Sequence, residues 1–328
     1  MRLAQHYVDN FRVLPWRIAP GDGRHPDPYR VWLSEVMLQQ TSVAAVTPRF
    51  ERFVARWPTV EALAAARDED ILSEWAGLGY YARARNLIAC ARSVAAAGGF
   101  PNDSAGLCGL PGIGSYTAAA VAAIAFGERA PAIDTNIRRV LSRVHGLTAP
   151  APAELKALFL DWLPDRRPGD MVQAMMDLGA TICVPRRPRC VACPLAGDCA
   201  AFANGDSEAF PARKAKAQRP KRFGVAWWIE RDGALWLVRR PARGLLGSMP
   251  GLPGTDWTAK ATPTKPLATV RHVFTHFALD LAIAERDEPV GEGWWQPLDT
   301  LIGAGLPTLY RRAVDAVRER LEEAQGAP

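Results

Sequence analysis

From the N-terminus to residue 205, apolar positions recur at helical spacing. Val31, Trp32, Val36 and Leu38 form one run and Val43, Ala44, Val46 and Phe50 the next, the three-to-four-residue period of a buried helix face. The stretches 114–126, 136–144 and 171–182 keep the same period. Between them stand turn signals: Pro58, Gly77-Leu78-Gly79, Gly98-Gly99, Pro101 and Pro111-Gly112. Residues 206–221, with Pro211, Pro220 and Arg213-Lys214-Ala215-Lys216, read as a basic linker. After it the period changes. Phe223 to Glu230 is rich in aromatic and β-branched residues, Arg231-Asp232-Gly233 is a turn, and Ala234 to Val238 is apolar again. Strand-like segments follow at 270–284 and around Trp294-Trp295, then a helix from Pro307 to Glu323. The pattern predicts an all-α region over 1–205, a linker over 206–221 and an α+β domain over 222–328.

Charge sharpens that division. The net charge is +6, and between Cys183 and Arg222 stand nine Lys or Arg against three Asp or Glu, so the rest of the chain is balanced. This segment is either a solubilising linker or a patch that tracks phosphates. It overlaps four cysteines, Cys183, Cys190, Cys193 and Cys199, spaced C-x6-C-x2-C-x5-C. Four thiolates so close in sequence suit one soft metal centre, either zinc or an iron–sulfur cluster. A disulfide framework is disfavoured. The chain has six cysteines in 328 residues, no charged-then-apolar leader, and no apolar run near membrane-spanning length, which places it in a reducing, cytoplasmic setting. Cys90 and Cys108 read as core positions.

Leu110-Pro111-Gly112-Ile113-Gly114 ends one helix and opens the next. Glycines there let backbone N–H groups approach a phosphate, and the following helix N-terminus favours negative charge. Alone it is a turn. Between apolar helices it reads as a helix-hairpin-helix clamp on the DNA backbone, with Leu110, Gly112 and Gly114 as the gripping positions.

The chain resembles the helix-hairpin-helix DNA glycosylase superfamily that includes endonuclease III, and most of all its MutY-type adenine-specific branch. The resemblance is strong over about residues 7–203 and weaker over 222–320. It rests on Leu14-Pro15-Trp16, the run from Pro28 to Thr41, the run from Gly77 to Leu87, the hairpin, Ile133-Asp134-Thr135-Asn136, Gln173 to Ala180, and the cysteine loop. It implies a [4Fe–4S] cluster on the four cysteines. It also implies that Gln40 and Tyr80 enter the base stack to extrude the target nucleotide, a step the chemistry needs because the glycosidic bond is unreachable inside a duplex. For Tyr80 the alternative is ordinary packing.

Releasing adenine from deoxyribose calls for a protonated base and a stabilised sugar cation, the work of two carboxyls in opposed protonation states. Glu35 lies in the apolar run Val31 to Leu38, where desolvation raises its pKa toward that of a general acid; the alternative is a salt-bridged core glutamate. Asp134 stands at the start of a helix, whose dipole helps hold it ionised by about 0.3–1 kcal/mol. It reads as an N-cap or as the anion facing the sugar. The resemblance assigns these acid and anion roles, sets Asn136 in the same network and puts Gln173 at the adenine edge. Relatives that cut the strand carry a lysine where this chain has Tyr116. Without an amine no imine forms, so Tyr116 in the catalytic group marks a monofunctional enzyme.

The second domain resembles the Nudix-like domain of MutY-type enzymes, which reads 8-oxoguanine opposite the adenine. Phe274, Thr275 and His276 match its reading stretch, with Thr275 where serine is usual. The acids Asp256, Asp280, Glu285, Asp287 and Glu288 are scattered and form no Nudix metal box, so binding without hydrolysis is expected. The resulting reading is a nucleoid-associated, monomeric base-excision repair glycosylase. Its expected substrate is duplex DNA holding adenine opposite 8-oxoguanine or guanine. The rivals are a bifunctional glycosylase/lyase and a non-catalytic iron–sulfur DNA-binding protein.

Overall fold

The computed structural model describes residues 2–212, 219–241, 244–274 and 276–325. Residues 1–214 and 215–328 form two compact units. The helices of the first are α1 Arg2–Asp9, α2 Pro28–Met37, α3 Val43–Arg56, α4 Val60–Ala65, α5 Asp68–Glu74, α6 Tyr81–Ala96, α7 Ser104–Cys108, α8 Ser115–Ala125, α9 Thr135–Val144, α10 Pro152–Trp162, α11 Pro168–Thr181 and α12 Ala200–Ala203. No helix among the described residues is long and apolar enough to cross a membrane.

Helix α2 is the centre of this unit. Asp27 caps it by accepting from the Tyr29 N–H at 2.9 Å, and Pro28 opens its first turn, where a missing N–H costs nothing. Tyr29 and every residue from Val31 to Met37 are buried, so the helix has no solvent face. It packs on α8, whose Ala118 to Ala123 are all buried. Small side chains let the two axes come close. Around them lie Trp32, Trp75, Phe50, Phe53 and Phe159, all fully buried; each side chain of that size contributes roughly 1.5–3 kcal/mol by leaving water.

The turn between α7 and α8 closes with the Ile113 N–H donating to the Leu110 carbonyl at 3.2 Å. Gly112 has φ +73°, and a Cβ there would lie 2.5 Å from Asn86 Cβ. Glycine is therefore required twice, for backbone conformation and for space. Gly114 caps α8 with no side-chain partner, which leaves the first N–H groups of that helix facing outward. This is the hairpin expected from the sequence.

The second unit holds β1 Lys221–Trp228, β2 Glu230–Arg231, β3 Ala234–Arg239, β4 Pro250–Gly251, β5 Ala268–Val273, β6 Ala278–Glu285, β7 Gly293–Pro297 and the helix α13 Thr308–Gln325. One sheet has the order β1-β6-β5, with β1 parallel and β5 antiparallel to β6. In the other, β3 pairs with β2, β4 and β7. Leu309, Ala313, Val314 and Val317 of α13 pack with Val270, Leu279 and Ile283 of the first sheet. The strand-like stretch 270–284 is thus covered by two antiparallel strands, β5 and β6, and between them the Phe274 N–H donates to the Phe277 carbonyl at 2.8 Å. Both flanks are apolar, so periodicity alone does not reveal the reversal.

Candidate active site

Glu35 is 8% exposed on a helix buried all round. The Tyr116 hydroxyl of α8 donates to its Oε2 at 3.0 Å. Burial pushes Glu35 from its usual 4.5 up to about 7; the Tyr116 hydrogen bond and the Arg17 guanidinium oppose this, and the Asp134 charge adds to it. A carboxyl poised near neutrality both holds and gives a proton at physiological pH. Burial, together with the charges of Glu35 and Asp134, raises Tyr116 well above the usual phenol range. Tyr116 therefore stays a neutral donor.

Asp134 caps α9. Its Oδ1 accepts from the Ile137 N–H at 2.6 Å, and its Oδ2 accepts from Asn136 Nδ2 at 2.9 Å. The N-cap and active-site readings are compatible, since the capping carboxylate also lines the cleft that holds Glu35. Arg139 extends the network by donating to Asn136 Oδ1 at 2.9 Å, to the Gly179 carbonyl at 2.7 Å and to the Cys183 carbonyl at 2.7 Å. A Cβ on Gly179 would stand 2.6 Å from Asn136 Cβ. The bare backbone of α11 lets α9 approach closely enough for these bonds.

The cleft has a volume of about 1050 Å³, and Glu35, Tyr116, Asp134, Asn136, Gln173 and Gln40 line it. Asp177, Arg17 and Arg12 also line it and were not picked out from sequence. Asp177 accepts from Arg17 at 2.6 and 3.1 Å and from Arg12 at 3.0 Å. Asp177 pairs with Arg17, and at Glu35 burial outweighs the Arg17 charge. Arg17 directly follows Leu14-Pro15-Trp16, and Asp177 sits one helical turn after Gln173. Those positions were the only signal, because their pairing spans 160 residues.

Gln40 and Tyr80 are both exposed, with φ of 57° and 50°. Left-handed backbone is strained for a residue with a side chain. They share a second cavity of about 220 Å³ with Arg83 and with Pro111 and Gly112 of the hairpin. Leu110, also in the hairpin, is half-buried. In the second unit, Phe274 stacks on Trp257 with ring centroids 5.4 Å apart, and His276 is exposed. Thr275 lies outside the described residues.

Cys183, Cys190, Cys193 and Cys199 are half-buried and line one small cavity walled by Val140, Leu178, Ile182 and Leu195. Among the described residues, no three His, Cys, Asp or Glu gather closely enough to hold a single metal ion. Arg143 is 2% exposed. It donates to Cys183 Sγ at 3.3 Å and to the carbonyls of Val184, Pro185 and Phe210. Four soft donors around an apolar cavity, beside a buried cation, suit an anionic thiolate-bound centre.

The family described as HhH-GPD superfamily base excision DNA repair protein matches residues 33–165, and a NUDIX domain matches residues 224–316. An adenine DNA glycosylase of Arabidopsis thaliana is 35% identical over 76% of this chain and 46% of its own length. One of Rattus norvegicus is 33% identical over 84% of this chain and 68% of its own. The chain therefore spans about half of the plant protein and two thirds of the rat one. Among solved structures, a thermostable thymine-DNA glycosylase superposes with a TM-score of 0.56 at 27% identity, over 62% of this chain and 94% of its own. The match to the rat protein along most of both chains, on a helix-hairpin-helix fold with the NUDIX unit behind it, means that this chain belongs to the adenine DNA glycosylase family.

Proposed function

We propose that this chain is a monofunctional DNA glycosylase that hydrolyses the N-glycosidic bond of adenine opposite 8-oxoguanine, and more weakly opposite guanine. The observation that carries this reading is one cleft holding a near-neutral Glu35, donated to by Tyr116, together with the capped Asp134. Protonated Glu35 gives its proton to a ring nitrogen of adenine, so the base leaves neutral. Asp134, held by Asn136 and the α9 N-terminus, faces the positive charge that develops on the sugar, and water completes the hydrolysis. Gln173 contacts the adenine edge, while Gln40 and Tyr80 fill the stack that the base has left. Leu110, Gly112 and Gly114 form the hairpin that grips the backbone, through the N–H groups of the two glycines and of the α8 N-terminus. Catalysis belongs to residues 1–205 and lesion reading to 222–328, joined by 206–221. The protein works as a monomer on chromosomal DNA in the cytoplasm.

Duplex carrying adenine opposite 8-oxoguanine should release free adenine, and its strand should break only after alkali. Borohydride should trap no covalent adduct, since Tyr116 offers no amine. Absence of free adenine would overturn the glycosylase reading. Efficient trapping would instead place the chain with the bifunctional enzymes.

The four cysteines would hold a [4Fe–4S] cluster, which when bound supplies a rigid cross-link across the loop. Purified protein should be brown and contain four irons per chain, a number set by the cluster type. Replacing Cys190 or Cys193 with serine should bleach it and weaken DNA binding, because the loop carries Arg186, Arg187 and Arg189. Colourless protein with zinc in place of iron, and unimpaired binding, would contradict the assignment.

Recognition of the oxidised partner rests on Phe274, Thr275 and His276. Changing Thr275 and His276 together to alanine should narrow the preference for 8-oxoguanine over guanine by about 1–3 kcal/mol, the value of one good base-edge contact. Adenine release from the guanine mispair should change little. An unchanged ratio of the two rates would move recognition elsewhere.

A further inference from the structure

Arg83, near the start of α6, is a buried cation. It is 8% exposed and makes no ion pair among the described residues. Its Nη2 donates to Thr41 Oγ1 and to the Leu78 carbonyl, both at 3.2 Å, while Nε and Nη1 have no partner. The guanidinium lies 5.1 Å from the Trp75 ring and 5.6 Å from the Tyr80 ring. Burying such a group costs several kcal/mol, and a well-packed apolar side chain in its place is often neutral or stabilising. Stability therefore does not explain the residue.

Its two acceptors do. Thr41 directly follows Gln40, and Leu78 lies two residues before Tyr80. Gln40 and Tyr80 are the two left-handed, exposed side chains beside the hairpin. They sit 40 positions apart, on loops with no strand or helix in common, and Arg83 is bonded to both loops. Tyr80 is held further by the Arg83 N–H, which donates to its carbonyl at 2.7 Å.

We propose that Arg83 is a positioning residue for base extrusion, tying the Gln40 and Tyr80 loops into one rigid wedge. The inference rests on the reading above that these two side chains enter the stack. A tied wedge is already ordered before DNA arrives, so the cost of fixing it is not charged to extrusion. Arg83 acts before bond cleavage and touches neither the adenine nor the sugar.

The test is stopped-flow fluorescence of full-length protein on duplex with 2-aminopurine in place of the adenine, opposite 8-oxoguanine. Single-turnover adenine release against pH and thermal melting are measured alongside it. Arg83→Met keeps the stem and removes the donors. It should slow extrusion about 10–100-fold, the scale of one lost hydrogen bond to a charged donor. The limb of the pH profile near 7 should stay in place, and melting should hold or rise. Arg83→Lys should recover part of the rate. Thr41→Val, which removes one tether, should give a smaller loss and serves if Arg83→Met does not fold. Tyr80→Ala controls for the wedge itself. Wild-type extrusion in Arg83→Met or Thr41→Val, with Tyr80→Ala slow, overturns the role of Arg83 and leaves the wedge standing. Wild-type extrusion in Tyr80→Ala removes the wedge reading instead. A displaced pH limb with lowered melting in Arg83→Met would make the residue merely structural.

Discussion

Glu35→Gln is expected to abolish adenine release while leaving affinity for the lesion duplex nearly unchanged. Glutamine keeps the shape and the oxygen that accepts from Tyr116 but has no proton to give. A positioned general acid is worth about 10²–10⁴-fold, and adenine, a poor leaving group until protonated, should fall at or beyond the top of that range. Single-turnover rates within a few-fold of the parent would sink the assignment. On the proposed mechanism, the active form of the parent is protonated Glu35. The rate should therefore be flat below about pH 7 and fall toward tenfold per pH unit above it, following the raised pKa.

The same substitution should change stability with a defined sign. Glu35 titrates near 4.5 when unfolded and near 7 when folded, so between those values the folded state binds more protons. Stability is greatest below about pH 4.5 with respect to this group and declines as pH rises through 7. Glu35→Gln removes that decline. At pH 8 the variant should be more stable than the parent, by ~1–3 kcal/mol as an order of magnitude. Equal denaturant midpoints at pH 8 would contradict the raised pKa of the buried carboxyl.

Asp134→Asn is expected to cost about 10²–10³-fold in the cleavage step, the scale of removing one preorganised electrostatic contact. The choice of asparagine separates the two roles of this residue. It caps helices about as well as aspartate, so α9 should stay formed and melting should shift little. Only the charge facing the sugar is lost. A variant that melts normally and still cleaves within a few-fold of the parent would leave Asp134 as a cap alone. One that melts much lower would show that the Asn136 and Arg139 network depends on the charge. Measuring both quantities on one preparation distinguishes these outcomes.

The helical period of Val31 to Leu38, the Pro111-Gly112 hairpin and the change of pattern after the basic linker were legible because each is local, set within a few residues by backbone sterics and by which face is apolar. The cysteine spacing and the placement of Glu35 in an apolar run were legible on the same grounds. The reversal between β5 and β6 was not, since two apolar strands in succession look like one. Tyr116 was legible only as a missing amine. Its bond to Glu35, 81 positions away, has no trace in the pattern.

Local sequence thus determined the elements and named both carboxyls. Tertiary structure decided the protonation of Glu35. Whether Glu35 sits near 4.5 or near 7 depends on the loss of water on every side of α2, on the Tyr116 hydroxyl, and on the charges of Arg17 and Asp134. The same holds for Arg83, a surface arginine by type, whose burial and two tethers come from loops 40 positions apart. Charge energies depend on distance and on exclusion of solvent, and only the folded chain sets either one.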